Sequence, residues 1–264
     1  MNSQSKVAII TGASSGIGKA LARELSQQNW SVGLIARRID RLNELATEIS
    51  NADGRVEVAA ADVSDREQIT SAIEALRSSL GEVDLLIANA GVSRPDYLDP
   101  FTVDDIELMF KVNTLGVVYA INSVLPQMLK NKSGHIAAVS SSGAYKGMPG
   151  SAGYCASKSA VNTFMEGLRI QLREENITLT TICPGFVKTP MTDVNTFKMP
   201  WLVEPAEAAR RIVSALQRGK KVYNFPWQMA VLVKLFRFLP DWAVARFVPR
   251  KSDADRSLFD ESLR

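Results

Sequence analysis

The chain has 264 residues, 46% of them hydrophobic and 22% charged, with 31 Lys and Arg against 28 Asp and Glu. That length suits one α/β domain, and the balance excludes a disordered, collagenous or low-complexity chain. The net charge of +3, with no basic cluster before the last third, argues against a nucleic-acid partner.

Cys155, Cys183 and a lone His135 provide neither a disulfide framework nor a His/Cys zinc cluster, and two-His chemistry is excluded. A reducing, cytoplasmic setting is the expectation, and no metal is expected. The first six residues lack the charged and apolar stretches of a secretory leader. No run of 18 apolar residues is present to span a bilayer.

Short β-branched runs alternate with longer helical patterns. Strands are expected at 6–10, 31–36, 56–60, 83–88, 135–140, 178–183 and 221–225. Helices are expected at 16–29, 40–50, 65–80, 103–129, 156–175 and 205–218. Strands separated by helix-length crossovers pair in parallel. Continuously apolar strands are those covered on both faces. The expected architecture is a Rossmann-like, doubly wound, parallel seven-stranded sheet in one domain, 1–225, with an apolar and basic helical extension, 226–264.

The first strand runs into Thr11-Gly12-Ala13-Ser14-Ser15-Gly16-Ile17-Gly18. A glycine-rich strand-to-helix turn brings backbone N–H groups and a helix N-terminus to a pyrophosphate. Gly12 permits the tight turn, Gly16 the close approach and Gly18 the helix–strand packing. The spacing is G-x-x-x-G-x-G. Its setting, directly after a strand, is the one a phosphate site needs.

The second strand ends at Arg37-Arg38. Nucleotide-binding folds that take NAD place an acid there for the ribose 2′-OH, whereas an arginine accommodates a 2′-phosphate. NADP(H) is therefore expected over NAD(H). Two solvated surface arginines are the blander alternative. Asp62-Val63, after the third strand, suits the adenine edge, or Asp62 belongs to a helix cap near Ser64-Asp65.

Tyr154 and Lys158 stand at i and i+4 and share a helix face. A neighbouring ammonium favours the phenolate, so Lys158 is expected to lower the Tyr154 pKa toward neutrality. Ser141 lies at the end of the fifth strand, where substrate is bound in such sheets.

Taken together, these motifs resemble the short-chain dehydrogenase/reductase family in its single-domain branch. The resemblance covers residues 6 to roughly 225. It rests on 11–18, Asp62, Asn89-Ala90-Gly91, Asn113, Ser140-Ser141-Ser142, Tyr154 with Lys158, and Pro184-Gly185 with Thr189.

The resemblance implies that Tyr154 is the acid/base for a ketone/secondary-alcohol pair. Lys158 would hold the nicotinamide ribose, and Ser141 would orient the substrate oxygen. Asn113 would hold a water joining Lys158 to solvent. Asn89, Ala90 and Gly91 would line the adenosine ribose, and Pro184, Gly185, Val187 and Thr189 the carboxamide and diphosphate. It selects Ser141 over Ser140 and Ser142. Gly143-Ala144 inverts the family's usual Ala-Gly.

The resemblance further implies a homodimer or homotetramer packed through the 103–129 and 156–175 helices, and a loop over the substrate near Met191, Phe197, Met199 and Trp201, for which a loop merely packed on the core is the blander alternative. An apolar carbonyl follows as the expected substrate, a 3-oxoacyl thioester first and a steroid-like or retinoid-like ketone second. A non-catalytic cofactor sensor or scaffold is the alternative class. His135 is expected to be a structural or surface histidine, and Cys155 and Cys183 small buried apolar groups. The stretch 226–251 mixes Trp and Phe with Lys234, Arg237, Arg246, Arg250 and Lys251. A substrate lid, a subunit interface and a peripheral membrane contact are its three readings.

Overall fold

The computed structural model describes residues 5–247, apart from 53, 97, 99, 100 and 196. Seven strands form one sheet in the order β3-β2-β1-β4-β5-β6-β7. They are β1 (Val7–Thr11), β2 (Ser31–Ala36), β3 (Val56–Ala60), β4 (Leu85–Ala88), β5 (Gly134–Val139), β6 (Ile177–Pro184) and β7 (Val222–Phe225). Every pairing is parallel. The strand order reverses between β1 and β4, which opens a crevice at their carboxyl ends.

Two apolar layers sandwich this sheet. On one face α1 (Gly16–Gln27), α2 (Ile39–Ser50) and α8 (Pro205–Gln217) bury Leu21, Leu25, Leu42, Leu45 and Ile212. On the other, α3 (Arg66–Leu80), α5 (Gly116–Asn131) and α6 (Ala152–Gln171) bury Ile69, Ile73, Ile121, Val124 and Met165. Residues of β1, β2 and β4 are buried at every position, which is why those strands read as unbroken apolar runs.

Three departures from the expected elements go beyond a shifted end. The helical stretch 103–129 is not one α-helix: α4 (Val103–Phe110) passes through a π-helical turn, Lys111–Leu115, before α5 begins. That continuous stretch, Val103–Asn131, is long and apolar enough to cross a membrane. Its inner side is nevertheless core, with Val117, Ala120, Val124 and Met128 buried. Helix α6, which carries Tyr154 and Lys158, starts at Ala152 rather than 156, which puts Tyr154 inside its first turn. A short helix, α7 (Pro190–Asp193), follows β6, where no helix is expected.

After β7 the chain forms α9 (Trp227–Phe236) and α10 (Asp241–Phe247). Met229, Val233, Ala243 and Val244 are buried, and α9 packs against a 3-10 turn at Ser142–Tyr145. Arg250, Lys251 and the polar end 252–264 lie outside the described residues.

Candidate active site

A cleft of about 550 Å³ runs along the carboxyl ends of the strands. Its glycine loop is shaped by close approach. Gly12 has φ +69, and a Cβ there would stand 2.7 Å from Ala90 Cα. Gly16 has φ +56 and faces Thr189, while a Cβ on Gly18 would meet the Gly12 carbonyl at 2.4 Å. Only glycine fits these positions, so backbone N–H groups are left open to the cleft.

Asn89 locks the crevice. Its Nδ2 donates to the Thr11 and Gly12 carbonyls at 2.9 and 3.3 Å. Thr11 Oγ1 in turn accepts from the Asn89 and Ala90 backbone N–H at 3.0 and 3.1 Å. The ends of β1 and β4 are thereby fixed on either side of the switch point.

Arginines gather at one end. Arg38 donates to Ser14 Oγ at 2.8 Å and Ser15 Oγ at 3.0 Å. Burial lowers its pKa, and the neighbouring Arg41 and Arg37 lower it further. Arg37 lies 3.7 Å from Asp62, both partly in water, so this ion pair is weak. Asp62 Oδ1 accepts from Ser64 N and Ser64 Oγ, at 2.9 and 2.7 Å. The cap of α3 is Asp65, which accepts from Glu67 N and Gln68 N. Asp62 therefore lines the cleft without being the helix cap.

Ser141, Tyr154 and Lys158 share the other end of the cleft. Ser141 hydrogen-bonds the Tyr154 phenol, and its Oγ accepts from Gly143 N at 3.0 Å. The neighbouring Ser140 has its hydroxyl committed, donating to the Lys158 carbonyl at 3.0 Å. A Cβ on Gly143 would lie 3.6 Å from the Tyr154 ring, an ordinary contact.

Burial of its phenol raises the Tyr154 pKa, and the Ser141 hydrogen bond pulls it back. This differs from the expectation of a phenol lowered by Lys158. The Lys158 ammonium turns instead to the Val139 carbonyl, 2.9 Å away, and desolvation brings its pKa down to about 8.

Asn113 is fully buried behind the wall, within the π-helical turn. Its Oδ1 accepts from Val92 N at 2.7 Å; its Nδ2 donates to the Val92 carbonyl at 2.9 Å and to Ser157 Oγ at 3.0 Å. Ser157 Oγ donates to the Tyr154 carbonyl. Asn113 thus clamps the strand-end loop to α6. A Cβ on Gly91 would sit between Lys158 Nζ at 3.2 Å and Asn113 Oδ1 at 3.3 Å.

Gly12, Ser14, Ser15, Gly16, Ile17, Arg37, Arg38, Asp62, Val63, Asn89, Ala90, Gly91, Pro184, Gly185, Val187 and Thr189 all line the cleft with the three catalytic candidates. Gly18 and Asn113 do not line it; both act from behind.

Several residues went unread in the sequence. Arg41 stands one helical turn after Arg38, a signal present as R-R-x-x-R. Arg94 lines the cleft and lies 3.6 Å from Asp105. Asp96 accepts from Gly153 N at 2.9 Å while its own N–H donates to the Gly150 carbonyl at 3.2 Å, so it pins the start of α6. Cys183 is buried but not merely apolar. Its Sγ donates to Asn162 Oδ1 and accepts from Tyr145 OH, each at 3.7 Å.

Residues 6–199 match the family model described as short chain dehydrogenase. An uncharacterized oxidoreductase of Myxococcus xanthus is 36% identical over 89% of this chain and 93% of its own. The fold of a short chain dehydrogenase/reductase from Burkholderia phymatum, in complex with NAD, superposes with TM-score 0.82 at 23% identity, covering 96% of this chain and 98% of that one. Actinorhodin polyketide ketoreductase with NADPH superposes with TM-score 0.79 at 27% identity, over 87% and 99% of the two chains.

Proposed function

Because this chain belongs to the short chain dehydrogenase family of nicotinamide-dependent oxidoreductases, we propose that it is an NADP(H)-dependent carbonyl reductase. The observation that carries the reading is the gathering of Ser141, Tyr154 and Lys158 in one cleft with the glycine loop. The glycine cradle and the arginine cluster fit a dinucleotide carrying a 2′-phosphate. Gly12, Gly16 and Thr189 would hold the diphosphate, and Arg37 and Arg38, with Arg41 beside them, the 2′-phosphate. Asp62 and Val63 would hold the adenine, and Lys158 the nicotinamide ribose.

A reduced nicotinamide held there would supply the hydride. Ser141 holds the carbonyl oxygen and stabilises negative charge growing there. Tyr154 donates its phenolic proton to the same oxygen. A phenol kept neutral by burial carries the proton that reduction consumes. The Lys158 ammonium stabilises the phenolate left behind.

Val92, Val112, Met191 and Val194 give the cleft an apolar side, which suits a 3-oxoacyl thioester, with a steroid-like or retinoid-like ketone as the second choice. The relation to a polyketide ketoreductase supports a keto substrate. Exposed Phe110, Leu115 and Ile170 on the two long helical stretches suit a homodimer or homotetramer, the family habit. The cytoplasm is the compartment proposed.

Parallel fluorescence titrations with NADPH and NADH test the cofactor. NADPH should bind at least about tenfold tighter, from charge-assisted bonds worth about 1.5–3 kcal/mol each. Arg37→Ala/Arg38→Ala should weaken NADPH much more than NADH, the smaller loss for NADH coming from the freed Ser14 and Ser15 hydroxyls. Equal loss for both nucleotides refutes the 2′-phosphate assignment. Binding of neither by the parent chain overturns the enzyme reading and points to the scaffold class.

A further inference from the structure

We propose that the outward face of α9 and α10 docks flat on an anionic lipid surface. The extension has two apolar sides. One is used by the fold: Met229, Val233, Ala243 and Val244 are buried against the domain. The other is left in water. Trp227, Val231 and Leu235, spaced four apart on one face of α9, are 70%, 49% and 61% exposed. Phe238, between the helices, and Trp242, in α10, are 84% and 77% exposed. Five large apolar groups within 16 residues exceed what scattered surface hydrophobics explain.

Charge identifies the occupant. Lys234, Arg237 and Arg246 are exposed among these side chains, and Arg250 and Lys251 follow in the sequence. The only acid between 226 and 251 is Asp241, whose carboxylate takes the Lys146 ammonium at 3.2 Å. Aromatic groups interleaved with cations fit the boundary of a bilayer carrying anionic headgroups. A second copy fits poorly, because an isologous contact sets the same cationic patch against itself. A lid over the substrate fits poorly too, because no described residue of the extension lines the cleft.

Length sets the mode of contact. α9 has 10 residues and α10 has 7, about 15 and 10 Å of helix against a hydrocarbon core of about 30 Å. Both lie in the interface and neither spans it. The contact would sit beside the active site. Lys146, just after the 3-10 turn that follows Ser141, donates to the Leu239 carbonyl at 3.2 Å, and a Cβ on Gly185 would touch Pro226 and Met229.

The full chain should be tested by flotation with vesicles of phosphatidylcholine alone and of phosphatidylcholine with about one-third phosphatidylglycerol. Salt-sensitive binding to the anionic vesicles only is expected. Arg237→Glu/Arg246→Glu should weaken it at least about 25-fold, at about fivefold per cation removed. Phe238→Ser/Trp242→Ser should weaken it at least about tenfold, from lost apolar burial. All four positions are exposed, so circular dichroism and NADPH binding of both variants should match the parent.

Absence of binding by the parent to anionic vesicles overturns the proposal, as does binding that neither variant pair weakens. A dimer in sedimentation that Phe238→Ser/Trp242→Ser dissociates, without vesicle binding, assigns the face to a second copy. None of these readouts depends on which carbonyl is reduced.

Discussion

A buried phenol beside a buried ammonium constrains how the site can work. Desolvation favours neutral Tyr154 and brings Lys158 down to about 8, so both groups hold charge poorly before ligands arrive. Tyr154→Phe keeps the ring and removes the proton, so NADPH affinity should be unchanged while kcat falls about 10²–10⁴-fold. Retained turnover would sink the mechanism. The Lys158 value adds a pH signature. Below about 8 the ammonium is present; above it the folded protein gives up that proton, and with it the charge proposed to stabilise a Tyr154 phenolate during turnover. Reductive kcat/KM should therefore decline as pH rises through about 8. A profile flat to pH 10 in the parent enzyme would show that Lys158 keeps its charge there.

At the scale of elements, α6 carries both groups, and its first turn decides where the phenol points. Asp96 holds that turn through Gly153 N–H, and its second oxygen, Oδ1, is buried without a hydrogen-bond partner among the described residues. Asp96→Ala removes a helix-capping acceptor and should cost about 0.5–2 kcal/mol of stability. It should lower kcat more than it raises KM, because the phenol shifts relative to Ser141 and Lys158. Asp96→Asn keeps an acceptor and should restore most of kcat; failure to do so would refute the positioning role.

None of this was legible in the sequence. Asp96 sits after β4 and acts on a helix 57 residues away, a pairing only the topology makes. The π-helical turn was equally hidden. It inserts a residue into an unbroken apolar helical pattern, and it carries Asn113 to Val92 and Ser157. The Tyr154–Lys158 spacing, by contrast, stood in the sequence and gained its meaning from the motifs around it, although the helix was expected to begin only at 156, after Tyr154. What spacing could not show was depth, and depth reverses the expected direction of the Tyr154 shift.

For the whole molecule, strand order and cleft position follow from the alternation of apolar strands and helices, because parallel crossovers leave one end of the sheet for ligands. The extension was the ambiguous part. A helix apolar on two sides gives the same pattern whether one side or both are buried, and only its packing shows that one side stays open.

The opposite end of the sheet holds a group that should add to acid sensitivity. His135 on β5 bonds Thr180 on β6 at 2.9 Å, and Thr180 Oγ1 donates to the Lys220 carbonyl at 2.6 Å ahead of β7. Because the hydroxyl proton is committed to Lys220, Thr180 accepts from Nε2–H, which selects the Nε2–H tautomer of the neutral ring. Burial depresses the His135 pKa from 6.5 to about 4. Between those values the unfolded chain binds the proton and the folded one does not, so acidification favours unfolding. The loss amounts to on the order of 3 kcal/mol by pH 4, beyond what carboxylates add. His135→Gln keeps an N–H donor toward Thr180 and does not titrate. In urea unfolding at a series of pH values, the variant should lose less stability than the parent between pH 7 and 4.5. Parallel curves for the two proteins would mean that His135 is as easily protonated in the folded sheet as in the unfolded chain.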